Sequence, residues 1–69
     1  MSEHKPEPLT PKERDVLSLA GYGFSNREIA QTLGNAPETI KHHLKVISRK
    51  LGAVSRFEAA YIANKAGWL

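Results

Sequence analysis

Three times the chain writes a Ser or Thr, two residues, and then a Glu: Thr10-Pro-Lys-Glu13, Ser25-Asn-Arg-Glu28 and Ser55-Arg-Phe-Glu58. Each is a capping box. The hydroxyl accepts from the amide three residues on, and the glutamate reaches back to the cap's own amide, so two donors orphaned at a helix start are satisfied together. Helix starts fixed at these three places leave short segments between them and little room for anything else. No stretch alternates apolar and polar residues with β-branched enrichment, so the expected fold class is all-α.

Helix 1 starts at Thr10, with Pro11 in the first helical position and Leu9 placed as a staple before the cap. Val16, Leu17, Leu19 and Ala20 form its inward face, and it stops near Gly21-Tyr-Gly23. Helix 2 starts at Ser25 and turns Ile29, Ala30 and Leu33 inward. Gly34-Asn35 then supplies the two residue types most tolerant of left-handed backbone angles, as a sharp helix ending requires. Helix 3 has Pro37 in its first position and runs to about Leu51, where Gly52 ends it. Its apolar residues Ile40, Leu44, Ile47 and Leu51 recur at helical spacing and draw one narrow stripe. Helix 4 starts at Ser55, buries Ala59, Ala60, Ile62 and Ala63, and ends before Gly67. Residues 1–8 are polar, with two prolines and no apolar pattern. They read as a disordered leader or linker remnant before one domain at 9–69.

Charge is unevenly divided. Residues 1–35 hold four Lys/Arg against five Asp/Glu, whereas residues 36–69 hold six against two, so the net +3 is concentrated after the Gly-Asn turn. A glycine turn leading from a near-neutral helix into a basic one is the sequence form of a helix-turn-helix, whose second helix can enter a DNA major groove. A basic half is also what a solvated helix face looks like, and charge alone favours that blander reading.

Position on helix 3 separates the two. Lys41, Lys45 and Arg49 fall on the flank beside the apolar stripe, with Glu38 among them. Major-groove edges present acceptors on guanine and adenine, so base-reading groups belong on the exposed face in the first half of the inserted helix. Lys41, His42 and Lys45 occupy that position and are the candidate base-reading set. Candidate phosphate contacts are Ser25, Asn26 and Arg27 at the start of helix 2, and Thr39, His43, Arg49 and Lys50 flanking the reading face. Ser25 is equally explained by its box with Glu28. His43, near the edge of the stripe, suits half-buried packing better than a base contact. Lys50, on the far side of the stripe from Lys41, is explained by solvation alone. Tyr22 and Phe24 bracket Gly23 and are expected to seal the junction of helices 1 and 2.

Other chemistries have little to stand on. With no cysteine there are no disulfides and no thiolate metal sites, and three His leave too few ligands for structural zinc. His42 and His43 are adjacent, hence on different faces, and make a poor metal pair. No Ser/His/Asp set, paired carboxylates or glycine-rich phosphate loop occurs, so the expectation is no enzyme, no metal and no cofactor. No apolar run reaches membrane-spanning length and the N-terminus lacks the apolar core of a signal peptide, so a soluble, cytoplasmic, nucleoid-associated protein is expected.

These blocks together resemble a known family. Leu9-Thr-Pro-Lys-Glu-Arg-Asp-Val-Leu17, Gly23-Phe-Ser-Asn-Arg-Glu-Ile-Ala30, Thr39-Ile-Lys-His-His-Leu44, Arg49-Lys-Leu-Gly52 and Ser55-Arg-Phe-Glu-Ala59 are similar to the LuxR/FixJ/GerE-type DNA-binding domain of bacteria, from Leu9 to about Gly67. The resemblance implies a four-helix bundle in which helices 2 and 3 form the helix-turn-helix. It further implies that helix 4 supplies a homodimer contact and that two subunits read an inverted repeat in double-stranded DNA to regulate transcription. In such domains Lys41 and the residues just after it approach bases, the same set chosen from geometry. Tyr61, Ile62 and Lys65 become the dimer candidates, with Ile62 alternatively plain core. The chain is then either a stand-alone member or the C-terminal domain of a larger regulator.

The chain departs from the family pattern at Asn35-Ala36, where an apolar residue and then Ser or Thr are usual. Loss of that hydroxyl cap costs helix 3 about 0.5–2 kcal/mol, partly offset by Pro37. Ala53 replaces a larger apolar residue, which suggests looser packing between helices 3 and 4. Two rival readings remain open: an interaction module that pairs with a related regulator or docks on RNA polymerase, and a monomeric promoter-reading domain like that of a sigma factor.

Overall fold

The computed structural model describes residues 7–69, so most of the expected leader, residues 1–6, lies outside the described residues. Four helices follow in order: α1 Pro11–Gly21, α2 Asn26–Leu33, α3 Pro37–Leu51 and α4 Arg56–Lys65. No strand occurs among the described residues. The starts lie where the capping signals put them. Thr10 and Ser25 both form closed boxes with Glu13 and Glu28.

The third box departs from expectation. The Ser55 hydroxyl accepts from the Glu58 amide at 3.1 Å, but the Glu58 carboxylate accepts from Val54, at 2.7 Å, rather than from Ser55. The backbone explains the difference. Thr10 and Ser25 enter their helices at φ −71° and −73°, whereas Ser55 enters at φ −151°, which rotates its amide away and brings the preceding one within reach.

The core is one cluster contributed by every helix. Val16, Leu17 and Ala20 of α1, Ile29 and Ala30 of α2, the whole Ile40, Leu44, Ile47, Leu51 stripe of α3, and Ala59 and Ala63 of α4 are buried, and Leu9 joins them from before the first cap. Leu19, Leu33, Ala53, Ala60 and Ile62 pack half-buried against it. Helices α1 and α3 each pack on all three others, while α2 and α4 do not pack on one another. Small residues let α1 and α4 approach closely. A Cβ added at Gly21 would stand 3.1 Å from the Cβ of Ala60, tighter than ordinary contact.

The turn between α2 and α3 hangs on Gly34 alone, which takes the left-handed angles φ 72°, ψ 35°. Asn35 does not share that conformation, since no non-glycine residue has positive φ among the described residues. Its amide donates back to the Ala30 carbonyl at 2.9 Å, closing the end of α2. Its side-chain Oδ1 is buried without a hydrogen-bond partner among the described residues. Helix α3 then starts from Ala36 with no side-chain cap, as the departure at Asn35-Ala36 implied.

Tyr22 does not seal the α1–α2 junction, since it is 81% exposed, whereas Phe24 keeps 37% of its surface in solvent. Among the described residues no helix is long and apolar enough to cross a membrane.

Candidate DNA-binding surface

Burial of the stripe fixes how α3 faces the solvent. With Ile40, Leu44, Ile47 and Leu51 turned into the core, Lys41, His42, Lys45 and Arg49 are left exposed on the other side, and Glu38 is exposed one turn before Lys41. The side chains of Lys41 and Lys45, four residues apart, sit one above the other on one face. Thr39 and His43 are half-buried at the margins. The His42 and His43 ring centres are 6.4 Å apart and tilted by 50°, so the two rings diverge as neighbours on a helix must.

Lys50 is half-buried and lies away from the reading face. Its ammonium donates to Glu13 Oε1 at 2.8 Å, tying the end of α3 to the start of α1. The carboxyl it meets is buried, at 7% exposure, and is the same group that completes the Thr10 box. Burial pushes the Glu13 pKa up, but the Lys50 ammonium and the Thr10 amide outweigh it and hold the pKa below the ordinary carboxylate value. The backbone adds a further tie, since the Glu7 amide donates to the Lys50 carbonyl at 3.2 Å. Neither Glu13 nor Lys50 stands out in sequence as half of a pair, because 37 residues separate them.

At the start of α2, Ser25 and Arg27 are exposed. The Ser25 hydroxyl is engaged by the Glu28 amide at 3.1 Å, so capping is its demonstrated role. Asn26 is half-buried, and its Oδ1 accepts from Arg56 Nη2 at 2.8 Å. Sequence reasoning gave Arg56 no role, because its partner lies 30 residues away.

On α4, Tyr61 and Lys65 are exposed and Ile62 is half-buried against the core. Tyr61 does not stand alone. With Phe57, four residues earlier, and with Tyr22 and Leu69 it lines an open cleft of about 580 Å³ between α1 and α4. Phe57 is 64% and Tyr61 63% exposed. The signal for Phe57 was present in the sequence: it shares a face with Tyr61, opposite Ala59 and Ala63.

Comparison with known proteins fixes the class of this architecture. Residues 7–63 match the GerE family, the bacterial regulatory proteins of the luxR family. The chain belongs to that family. Its fold is that of the transcription factor GerE, with a TM-score of 0.84 and 28% identity over 88% of this chain and 91% of that one. The structure of a VqmA–ligand–DNA complex from Vibrio cholera is also similar, with a TM-score of 0.79 and 28% identity over 93% of this chain and 28% of that one. Among relatives by sequence, the transcriptional regulatory protein MctR of Rhizobium johnstonii is 50% identical over 50 residues, 72% of this chain and 23% of MctR. The chain thus spans under a quarter of the length of the first curated relatives that it matches. It is a LuxR-type DNA-binding domain.

Proposed function

We propose that this domain binds double-stranded DNA sequence-specifically, as a homodimer that reads an inverted repeat by laying α3 in the major groove. The observation that carries the reading is the division of α3 into a fully buried stripe and an exposed basic face of Lys41, His42, Lys45 and Arg49. Lys41, His42 and Lys45 read bases. Ser25, Asn26, Arg27, Thr39, His43 and Arg49 contact phosphates. Lys50, committed to Glu13, supports this surface from behind. The similarity to part of VqmA, a protein solved in complex with DNA, supports DNA binding. Replacing Lys41 or Lys45 by Ala should weaken binding to a selected operator by about 1–3 kcal/mol per lost base contact, with the fold intact. Operator affinity unchanged in both variants would sink the assignment of the reading face.

The dimer forms through α4, with Phe57 beside Tyr61, Ile62 and Lys65. Exposed aromatic side chains grouped on one helix are the kind of surface that protein contacts bury. Tyr61→Glu should give a monomer by sedimentation that keeps its helical content by circular dichroism, with a melting temperature that no longer rises with protein concentration. A second reading rests on the same cleft: α4 pairs instead with a related regulator. Sedimentation on an inverted-repeat duplex separates the two, because a homodimer places two subunits on one duplex. A sigma-factor-like reader would place one.

A further inference from the structure

We infer that Arg56 is a positioning residue for DNA binding, which orients the Asn26 side-chain amide and so couples the start of α4 to the start of α2. The inference rests on the proposed docking of the α2 start against the phosphate backbone.

Arg56 and Asn26 are each the first residue of their helix, each directly after a serine cap. They lie 30 residues apart, both half-buried, and meet at 2.8 Å through Arg56 Nη2 and Asn26 Oδ1. Helices α2 and α4 are the one pair that do not pack on each other. Among the described residues this hydrogen bond is the only one that joins them. It therefore spans a gap that burial does not close.

The bond decides which end of the amide faces out. An asparagine has a carbonyl oxygen that only accepts and an NH₂ that only donates. A guanidinium only donates, so it holds Oδ1 toward itself and leaves Nδ2, with both hydrogens, for another acceptor. A phosphate oxygen is such an acceptor, and a carbonyl oxygen in the same place would repel it. Without Arg56 the amide is free to turn over and lose that selection. Helix electrostatics argue against stability as the reason for Arg56. A cation is disfavoured at a helix N-terminus, and this one sits at the start of its own helix and beside the start of another.

The link also gives the two proposed surfaces a physical connection. A partner seated on α4 bears on the helix whose first residue sets Asn26, so α4 contacts and phosphate contacts share one side-chain bridge.

The test measures binding of the full chain to a mixed-sequence DNA duplex at low salt, for wild type, Arg56→Met, Arg56→Lys, Asn26→Ala and the Asn26→Ala/Arg56→Met double variant. Methionine keeps the length of the side chain and has no donor. Arg56→Met and Asn26→Ala should each lose roughly two- to tenfold in affinity, the value of one net hydrogen bond. The double variant should lose no more than Asn26→Ala alone, and Arg56→Lys, which can still donate to Oδ1, should recover part of the loss. Wild-type affinity in Arg56→Met would overturn the inference. So would equal loss with and without Asn26, together with a salt slope shallower by about one, because Arg56 would then contact phosphate itself. If Arg56→Met fails to fold, the Asn26 side-chain amide resonances of Arg56→Lys serve instead. They should keep their wild-type hydrogen-bonded shifts, and free-asparagine shifts with unaltered DNA affinity would overturn it. A wild-type chain that shifts no duplex at low salt would instead bring down the proposed function, and this inference with it.

Discussion

Helix α2 enters through Ser25, whose hydroxyl accepts from the Glu28 amide at 3.1 Å while its own amide donates to the Glu28 carboxylate at 2.8 Å. Helix α3, after the same turn, enters through Ala36, which has no side-chain acceptor to offer, and beside it the Asn35 Oδ1 is buried without a partner among the described residues. Their buried faces run the other way. Helix α2 buries only Ile29 and Ala30, and α3 buries Ile40, Leu44, Ile47 and Leu51. The supporting helix is thus fixed by hydrogen bonds at its start, and the reading helix by apolar burial along its length. Local bonds aim a helix end sharply, whereas burial fixes which side faces out. The first suits a helix that meets phosphates with its end, the second a helix that meets bases with its side.

The largest effect should therefore come from the stripe. Ile47→Ala, at a fully buried position, should destabilise the domain by about 2–5 kcal/mol, the range for deleting a core aliphatic side chain. That is a large share of what a chain of this size holds. Urea unfolding measures it. A loss no greater than that of removing the Ser25 cap would break the comparison, because α3 would then not depend on its stripe.

The Glu13–Lys50 pair anchors the far end of α3, and it should matter less. Glu13→Gln keeps an acceptor for the cap and removes the charge facing Lys50, so a loss of about 1–2 kcal/mol is expected, given that Lys50 retains some solvent contact. The pH dependence follows from the direction of the shift. Because the folded-state pKa of Glu13 lies below its ordinary value, the pair's contribution is present above that ordinary value and is lost as pH falls through the folded pKa. Stability measured from neutral pH down to about pH 3 should fall further in wild type than in Glu13→Gln. Parallel curves would show that the pair adds nothing.

Next in size, Ser25→Ala should cost about 1 kcal/mol by opening the α2 box. Its DNA affinity should fall with it, as the start of α2 loses its aim, and affinity that holds while stability drops would separate capping from docking.

What could be read in the sequence follows the same division between local and distant. The boxes at Thr10 and Ser25, the end of α2 at Gly34 and the stripe on α3 all depend on residues one to four apart, or on a periodicity of that length, and all four are where the pattern put them. The exposure of Lys41, His42 and Lys45 follows from the stripe, because the side of a helix that packs also defines the side that does not. The Glu13–Lys50 and Asn26–Arg56 contacts span 37 and 30 residues, and nothing in local spacing announces them. The partners of Lys50 and Arg56 were therefore not legible from their neighbours. The exposure of Tyr22 was missed for a related reason: whether a junction residue is covered depends on how distant helices pack around it. Even within the third box the residue types were right, and a backbone angle at Ser55 redirected one bond.

The smallest effect tests the comparison most directly. Ala36 already holds the extended angles of a cap residue, φ −83° and ψ 149°, so a serine there needs no backbone change. Its hydroxyl would meet the amide of Thr39, which now donates to the Ala36 carbonyl at 3.0 Å. No reciprocal box can form, because the residue three positions on is Thr39 rather than a glutamate. The gain from Ala36→Ser should therefore lie at the low end of capping values, about 0.5–1 kcal/mol, which in a domain this small raises the melting temperature by roughly 2–8 °C. If melting does not rise, the start of α3 is already satisfied and the contrast with α2 fails. If it rises and DNA affinity stays level, the missing cap is a deficit of stability alone, and the stripe suffices to present the reading face.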